Sequence, residues 1–366
     1  MNRRPPRNGE KLVQIQNTLL VDGNALFKTG FFGAKNVYNN SGQHIGGLYQ
    51  FITVIRKLLI DDLYHRVFVF WDGNFSGKLR YDIYQPYKSA RGKDFINGTQ
   101  PIDESELAQR EVVWDYLNEL SIRQLKHEVI EGDDFIGYYC LNKKDNEKIT
   151  IVSNDRDMCQ LINEDVKIYF CDLKEYVDLS NYSSYFCHHQ ENSMLLKTMI
   201  GDSSDSIKGV KGLGEKKLIS LFPELKERKV ELEEIIASAK LIQEERKNTK
   251  QKPLKVLDNI IYGITEGVQG DRLYEINSRL VDLKRPMLTE DGINALEELI
   301  EGYFDPNSVG LKHIHMMMHR DGLDKQIGEL RYPDYLVPFK KLNERELKTI
   351  KKQEEHDNND NNSTDI

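Results

Sequence analysis

Three short apolar runs, each stopping on an aspartate, constrain this chain more than any other feature. Thr18-Leu19-Leu20-Val21 stops at Asp22-Gly23-Asn24, and Arg66-Val67-Phe68-Val69-Phe70-Trp71 stops at Asp72-Gly73. Lys148-Ile149-Thr150-Ile151-Val152-Ser153 stops at Asn154-Asp155-Arg156-Asp157. Continuous apolar runs of this length, separated by helical patterns, read as parallel strands buried on both faces. Between the first two, Leu48, Phe51, Ile52, Ile55, Leu58 and Leu59 recur at helical spacing and form one apolar face. The predicted fold class is α/β, a central parallel sheet flanked by helices. Sites in such sheets gather beyond the carboxyl ends of the strands, where each of these aspartates falls. One aspartate there is an ordinary turn residue; three together point to a shared site.

More acids join them. Glu131-Gly132-Asp133-Asp134 precedes a helical pattern, and a helix N-terminus accounts for one or two acids rather than three around a glycine. Asp202 and Asp205 stand three apart among Ser and Gly, with nothing apolar to bury them. Asp22, Asp72, Glu131, Asp133, Asp134, Asp155, Asp157, Asp202 and Asp205 are therefore the candidate metal ligands. Together they would repel one another and destabilise a fold unless cations lay among them. Oxygen donors without His or Cys select Mg²⁺, with Mn²⁺ as a substitute. Two such ions about 4 Å apart are the usual device for in-line displacement at phosphorus.

The net charge of −8 is unusual for a nucleic-acid binder, but the proposed site explains it. Without its nine carboxylates the 59 acids become 50, against 51 basic residues, so a DNA partner is not excluded. Lys78, Arg80, Tyr84, Tyr87, Lys88 and Arg91 alternate cations with aromatic rings, a composition suited to a single strand. A solvated loop is the plain alternative. Asp103-x-x-Glu106 reads as a capping box opening a helix through Val112, Val113, Tyr116, Leu117 and Leu120, expected over the strand ends near the acids. After Asp205 comes Gly209-Val210-Lys211-Gly212-Leu213-Gly214, then a helical start with Lys216 and Lys217. A glycine-rich turn feeding a helix N-terminus presents unpaired N–H groups suited to a phosphate oxygen.

The four cysteines, Cys140, Cys159, Cys171 and Cys187, contain no CxxC pair and read as reduced, mostly buried thiols of a cytoplasmic protein. The basic start Met1 to Arg7 lacks an apolar core and is not expected to be a secretory signal. No run of 18 apolar residues suggests a membrane span. His313, His315 and His319 flank Met316-Met317-Met318, which favours a packed or surface helix over a metal site. The polar, Asn-rich stretch 357–366 is expected to be disordered.

In order and spacing, LLVDGN, VFVFWDG, PYKSAR, EGDD, SNDRD and GDSSDSIKGVKGLGEKK resemble the flap endonuclease and 5′-3′ exonuclease family over about residues 18–222. Asn277-Ser278-Arg279-Leu280-Val281-Asp282-Leu283 looks closest to the tailed-phage RNase H branch. The resemblance implies a flexible arm at 1–17, a PIN-like nuclease domain at 18–190 with a helical arch at about 76–126, and a mostly α-helical helix–three-turn–helix duplex-binding domain at 191–305. Residues 306–366 form an extension without a motif, and 224–255 is rich in Glu and Lys, read as charged helices. It assigns Asp22, Asp72, Glu131 and Asp133 to a first metal, and Asp134, Asp155, Asp157, Asp202 and Asp205 to the second metal and its surround. Lys88 and Arg91 match the basic pair at the arch base that contacts the scissile phosphate. It further implies a K⁺ ion at the hairpin, and DNA with 5′ flaps, nicks or RNA primers as substrate. A single-strand-binding protein or sliding clamp is the implied partner of a monomer, in the cytoplasm of a bacterial host if the source is a phage. Two rivals stay open: a catalytically silent structure-specific DNA-binding protein, and a PIN-type ribonuclease.

Overall fold

A computed structural model describes residues 16–89, 103–265, 271–302, 311–328, 332 and 334–348. Its centre is a six-stranded sheet of β1 (Gln16–Asp22), β2 (Arg66–Trp71), β3 (Arg123–Lys126), β4 (Glu147–Ser153), β5 (Val166–Phe170) and β6 (Glu175–Val177). The order is β3-β2-β1-β4-β5-β6, parallel except for the antiparallel edge strand β6. The three predicted strands are thus adjacent at the centre. Val21 pairs with Val69 on one side and Val152 on the other, so the three aspartate-bearing ends are level. The order reverses between β1 and β4, and a crevice opens at such a switch point.

Alternation along the strands divides the core between the two faces. Leu19, Val21, Val67, Val69 and Trp71 face one cluster, while Leu20, Phe68, Phe70, Ile149 and Ile151 face another. Over the first face lie α1 (Gly23–Gly33) and α2 (Gly46–Asp61), and the apolar face predicted on α2 is buried. Helix α3 (Lys78–Ile83) follows β2, and α4 (Glu104–Glu119) opens at the predicted cap, Asp103 accepting from the Ser105 and Glu106 amides. The course of α4 differs from expectation. Val113, Tyr116 and Leu117 anchor it in the first cluster, and none of its described side chains lines the acidic cleft. Over the second face lies α5 (Gly132–Leu141), with Phe135 and Ile136 inward.

A second core belongs to α6 (Ser193–Ile200), α7 (Glu215–Leu221), α8 (Leu232–Asn248), α9 (Lys255–Ile261) and α10 (Asp271–Val281). A small hairpin, Gly201–Asp202 against Ile207–Lys208, separates α6 from α7. The charged stretch within 224–255 is largely α8, which buries Ile235 and Ala239 and turns its acids and bases outward. Asn277 of α10 donates to the Thr198 and Lys208 carbonyls, locking this unit around the hairpin. The chain then returns to the sheet: Leu296 of α11 (Glu290–Glu301) joins the second cluster.

The motif-free tail is part of the first core. Helix α12 (Leu311–Arg320) buries Ile314, Met317 and Met318, and α13 (Leu323–Ile327) and residues 334–348 add Leu323, Leu336, Phe339 and Leu342. His313, His315 and His319 pair separately with Glu119, Tyr332 and Asp324, in line with the packed-helix reading. No helix among the described residues is long and apolar enough to cross a membrane. Of the arm expected at 1–17, Gln16 and Asn17 instead begin β1, while residues 1–15 and the tail beyond 348 lie outside the described residues.

Candidate metal centre and nucleic-acid interface

Eight predicted carboxylates, all but Asp134, line one open cleft of about 340 Å³ at the sheet's carboxyl edge. Each is held by its local structure. Asp22 caps α1 by accepting from the Ala25 amide and also accepts from Ser153 Oγ at 2.8 Å. Asp72 accepts from the Gly132 amide at 2.9 Å and from Asn24 at 2.6 Å, tying three segments together. Asp155 accepts from the Asp157 amide at 2.8 Å, and Asp202 accepts from the amide and hydroxyl of Ser204. These are turn and cap bonds, so the ordinary role and the site role coexist in the same side chains.

The electrostatics separate the cleft into two zones. Burial and then the neighbouring Asp72 push Asp22 up to about 7. Burial and then Asp155 push Asp157 up to about 7 against the pull of Lys197. Burial, with Asp22 and Asp155 nearby, holds Asp133 well above the usual carboxylate range. At the rim Lys197 bridges Asp157 at 2.8 Å and Asp202 at 2.5 Å. Burial opposes ionisation of Asp202, but Lys197 and Ser204 outweigh it and bring its pKa to about 2. Protein cations therefore leave Asp22, Asp133 and Asp157 undercompensated. An all-oxygen donor set with that surplus of negative charge fits hard divalent cations.

Glu131, Asp134, Arg80, Tyr87 and Lys88 form a second, more buried layer. Arg80 makes a two-pronged contact with Asp134, at 2.6 and 3.0 Å, and pairs with Glu131 at 2.8 Å. Asp134 is fully buried and also accepts from the Met287 amide at 2.9 Å. Its oxygens are engaged by these donors, which corrects its reading as a metal ligand: Asp134 is a structural anchor. Arg80 is likewise corrected as a nucleic-acid contact, being buried with its Nε donating to the Leu280 carbonyl at 2.9 Å. Tyr87 cannot stack on a base. Its ring is 2% exposed and its hydroxyl points at Glu131 and Asp205. Tyr84 is half-buried against the small cluster containing Tyr87, Ile207 and Leu280. Lys78 is exposed and paired with Asp82 at 3.1 Å.

Lys88 reaches the cleft wall and pairs with Glu131. Burial disfavours the Glu131 carboxylate, but Lys88 and Arg80 together hold it below its usual range. The Lys88 backbone is left-handed, at φ 53°, and its amide donates to the Asp205 carbonyl at 2.7 Å. A non-glycine residue held there stores strain, which clusters at functional sites. Arg91 lies outside the described residues.

The hairpin glycines differ from one another. Gly212 takes a positive φ of 75° with open space where a Cβ would stand, and Gly214 is extended and equally open. Gly209 is packed; a Cβ there would meet the Ile200 carbonyl. Lys211 and Lys216 are exposed, and Lys217 donates to the Gly212 carbonyl at 2.8 Å. The Gly209 and Lys211 carbonyls accept from Thr265 and Asn259, so a K⁺ ion would share each with a donor already there.

Sequence reasoning missed Lys197, Asn24 and Lys28, all near or on the cleft. Asn24 stands inside the LLVDGN motif, directly after the turn glycine, which was the available signal. Lys197 had none, because one of its partners, Asp157, comes from a distant segment and the other, Asp202, lies beyond the end of its own helix.

Comparisons with known proteins agree with the fold. A sequence model described as the 5′-3′ exonuclease N-terminal resolvase-like domain matches residues 17–187. A 5′-3′ exonuclease of Mycoplasmopsis pulmonis is 30% identical over 202 residues, covering 54% of this chain and 63% of that protein. DNA polymerase I of Bacillus subtilis is 28% identical over 252 residues, covering 66% of this chain and 27% of that protein. The chain thus spans only part of these relatives. Among solved structures, T5 5′-exonuclease with divalent metal ions (zinc) bound has a TM-score of 0.60 at 19% identity, covering 78% of this chain and 99% of that one.

Proposed function

We propose that the chain, whose residues 17–187 match the 5′-3′ exonuclease N-terminal domain, is a member of the 5′-3′ exonuclease and flap endonuclease family and a Mg²⁺-dependent, structure-specific 5′-nuclease. Its substrates are DNA with 5′ flaps or nicks and RNA–DNA hybrids, as in primer removal during replication. One observation carries the reading: acids from five separate segments converge on one cleft where protein cations leave three of them undercompensated. Asp22, Asp72 and Asp133 would hold one ion, and Asp155, Asp157, Asp202 and Asp205 the other. Glu131, expected as a ligand of the first ion, has its oxygens engaged by Arg80, Lys88 and Tyr87 and acts here as their anchor. When bound, such ions supply a water nucleophile at neutral pH and neutralise charge at the phosphoryl oxygens.

The remaining work falls to the chain itself. Glu131, anchored by Arg80, aims the Lys88 ammonium into the cleft, where it stabilises charge developing on the scissile phosphate. Lys197 bridges Asp157 and Asp202 at the rim and offsets their mutual repulsion. The Gly212–Gly214 turn, with Lys211 and Lys216 beside it, holds a duplex phosphate without reading bases. Mn²⁺ substitutes at the oxygen ligands, and a single-strand-binding protein or sliding clamp would deliver the substrate.

A gel assay of labelled flap, nicked duplex, RNA–DNA hybrid and single-stranded RNA tests this. The expected result is cleavage of the first three in Mg²⁺ and of none in a chelator. Binding without cleavage would make the protein a silent DNA binder, and cleavage of single-stranded RNA alone would make it a ribonuclease.

A further inference from the structure

We propose a second metal site, for a borderline-soft ion of the Zn²⁺ class, formed by Cys187, His188 and Glu215 outside the acidic cleft. The Cys187 thiol, the His188 Nδ1 and a Glu215 oxygen lie within 4.8 Å of one another. Cys187 Sγ is 3.1 Å from Glu215 Oε1, and His188 Nδ1 is 3.5 Å from the same oxygen.

A chain of hydrogen bonds prepares the imidazole for a metal. Ser193 Oγ donates to the Gln190 carbonyl at 2.7 Å, which leaves it to accept from the Tyr182 hydroxyl at 2.9 Å. With its proton so used, Tyr182 accepts from His188 Nε2 at 2.9 Å. The ring is thereby fixed as the Nε2–H tautomer, with the Nδ1 lone pair directed at Glu215. That Nδ1 is buried and has no hydrogen-bond partner. Two acceptor atoms facing each other at 3.5 Å repel unless a cation lies between them. A second proton would place an imidazolium in a largely buried position against the stacked Tyr182–Phe186 pair, where loss of hydration disfavours charge. A metal ion instead takes the lone pair, the carboxylate and, with loss of its proton to solvent, the Cys187 thiolate.

The donor chemistry sets this site apart from the cleft. Sulfur, nitrogen and oxygen on one centre are a zinc ligand set, whereas the cleft offers oxygen alone. Tyr182 supplies the outer hydrogen bond that metal-binding histidines usually make. Cys187 is exposed, so the fourth position is open to water. The site also has a mechanical consequence. Cys187 and His188 precede α6, and Glu215 is the first residue of α7, so an ion here would clip the hairpin unit across its base. The site uses no residue of the proposed nuclease centre and stands independently of that reading.

The test uses the full chain in excess Mg²⁺, which fills the acidic cleft, titrated with Co²⁺ as a spectroscopic probe. The expected result is a thiolate-to-cobalt charge-transfer band that saturates at one ion per chain and is displaced by Zn²⁺. Cys187→Ser abolishes the band and Cys140→Ala leaves it intact. Tyr182→Phe, which keeps the ring but frees Nε2, weakens binding by about 10–100-fold. Absence of the band, or its survival in Cys187→Ser, would overturn the site. Unchanged affinity in Tyr182→Phe would overturn the part given to Tyr182 in preparing the Nδ1 lone pair.

Discussion

Arg80 touches two carboxylates that come from another segment, and its removal would leave both Glu131 and Asp134 buried without their shared guanidinium. Breaking such a group from one side costs about 3–5 kcal/mol. Arg80→Ala should therefore lower unfolding free energy by about that amount in urea titration, whatever nucleic acid is present. A loss below about 1 kcal/mol, with weakened DNA binding instead, would restore Arg80 to the interface. Lys88 predicts the converse. Lys88→Ala should slow single-turnover cleavage by about 10²–10³-fold with little change in affinity, because one aimed donor is removed; a collapse of affinity at constant chemical rate would make it a binding residue. The strand-end acids were legible because a strand end is written in consecutive residues. The Arg80–Asp134 pair was not, since its members are 54 positions apart and residue type alone assigns each to a surface role. Tyr87 misled for the same reason, an aromatic among basic residues whose burial is decided by Ile207 and Leu280 far along the chain.

At the scale of elements, the hairpin gives the cleanest separation of binding from folding. Gly209 is a packing residue and Gly212 needs positive φ, so substitution at either strains the fold. Gly214 has extended backbone and no atom within 4 Å of a would-be Cβ. Gly214→Val should keep the circular dichroism spectrum and weaken duplex binding, and its salt slope should flatten by about one unit for each phosphate no longer held. Unchanged affinity for duplex and flap in that folded variant would remove the turn from the interface. Elements with regular apolar periodicity, β1, β2, β4 and α2, were readable in advance. Strand β3, Arg-Gln-Leu-Lys, carries no such pattern and is a strand because β2 pairs with it. The position of α4 was also hidden: its capping box marks where it begins, while Val113, Tyr116 and Leu117 choose what it packs on.

Across the whole molecule, the tail shows how a segment without motifs can still complete a core, through Ile314, Met317, Met318 and Phe339. The acidic cleft also links stability to pH. Asp22 and Asp157 have folded pKa values near 7, raised from 3.8, so the native state holds protons that the unfolded chain has released. Their contribution is present below the unfolded pKa and is lost as pH rises through about 7. In protein first stripped with a chelator, the rise in Tm on adding Mg²⁺ should accordingly be larger at about pH 8 than at about pH 5, because ionised carboxylates are what the ion relieves. An equal or smaller rise at the higher pH would mean that the cleft is not where Mg²⁺ acts.

The central claim is that these converging acids perform the chemistry while the Gly212–Gly214 turn holds the duplex. Asp155 tests it most directly, since it follows β4 at the cleft, whereas the Gly212–Gly214 turn packs through Val210 and Leu213 into another core. The decisive measurement is single-turnover cleavage of a labelled 5′ flap in Mg²⁺ by Asp155→Asn, with duplex affinity measured on the same preparation. The account predicts loss of cleavage with affinity retained; near-normal turnover by the folded variant would contradict it.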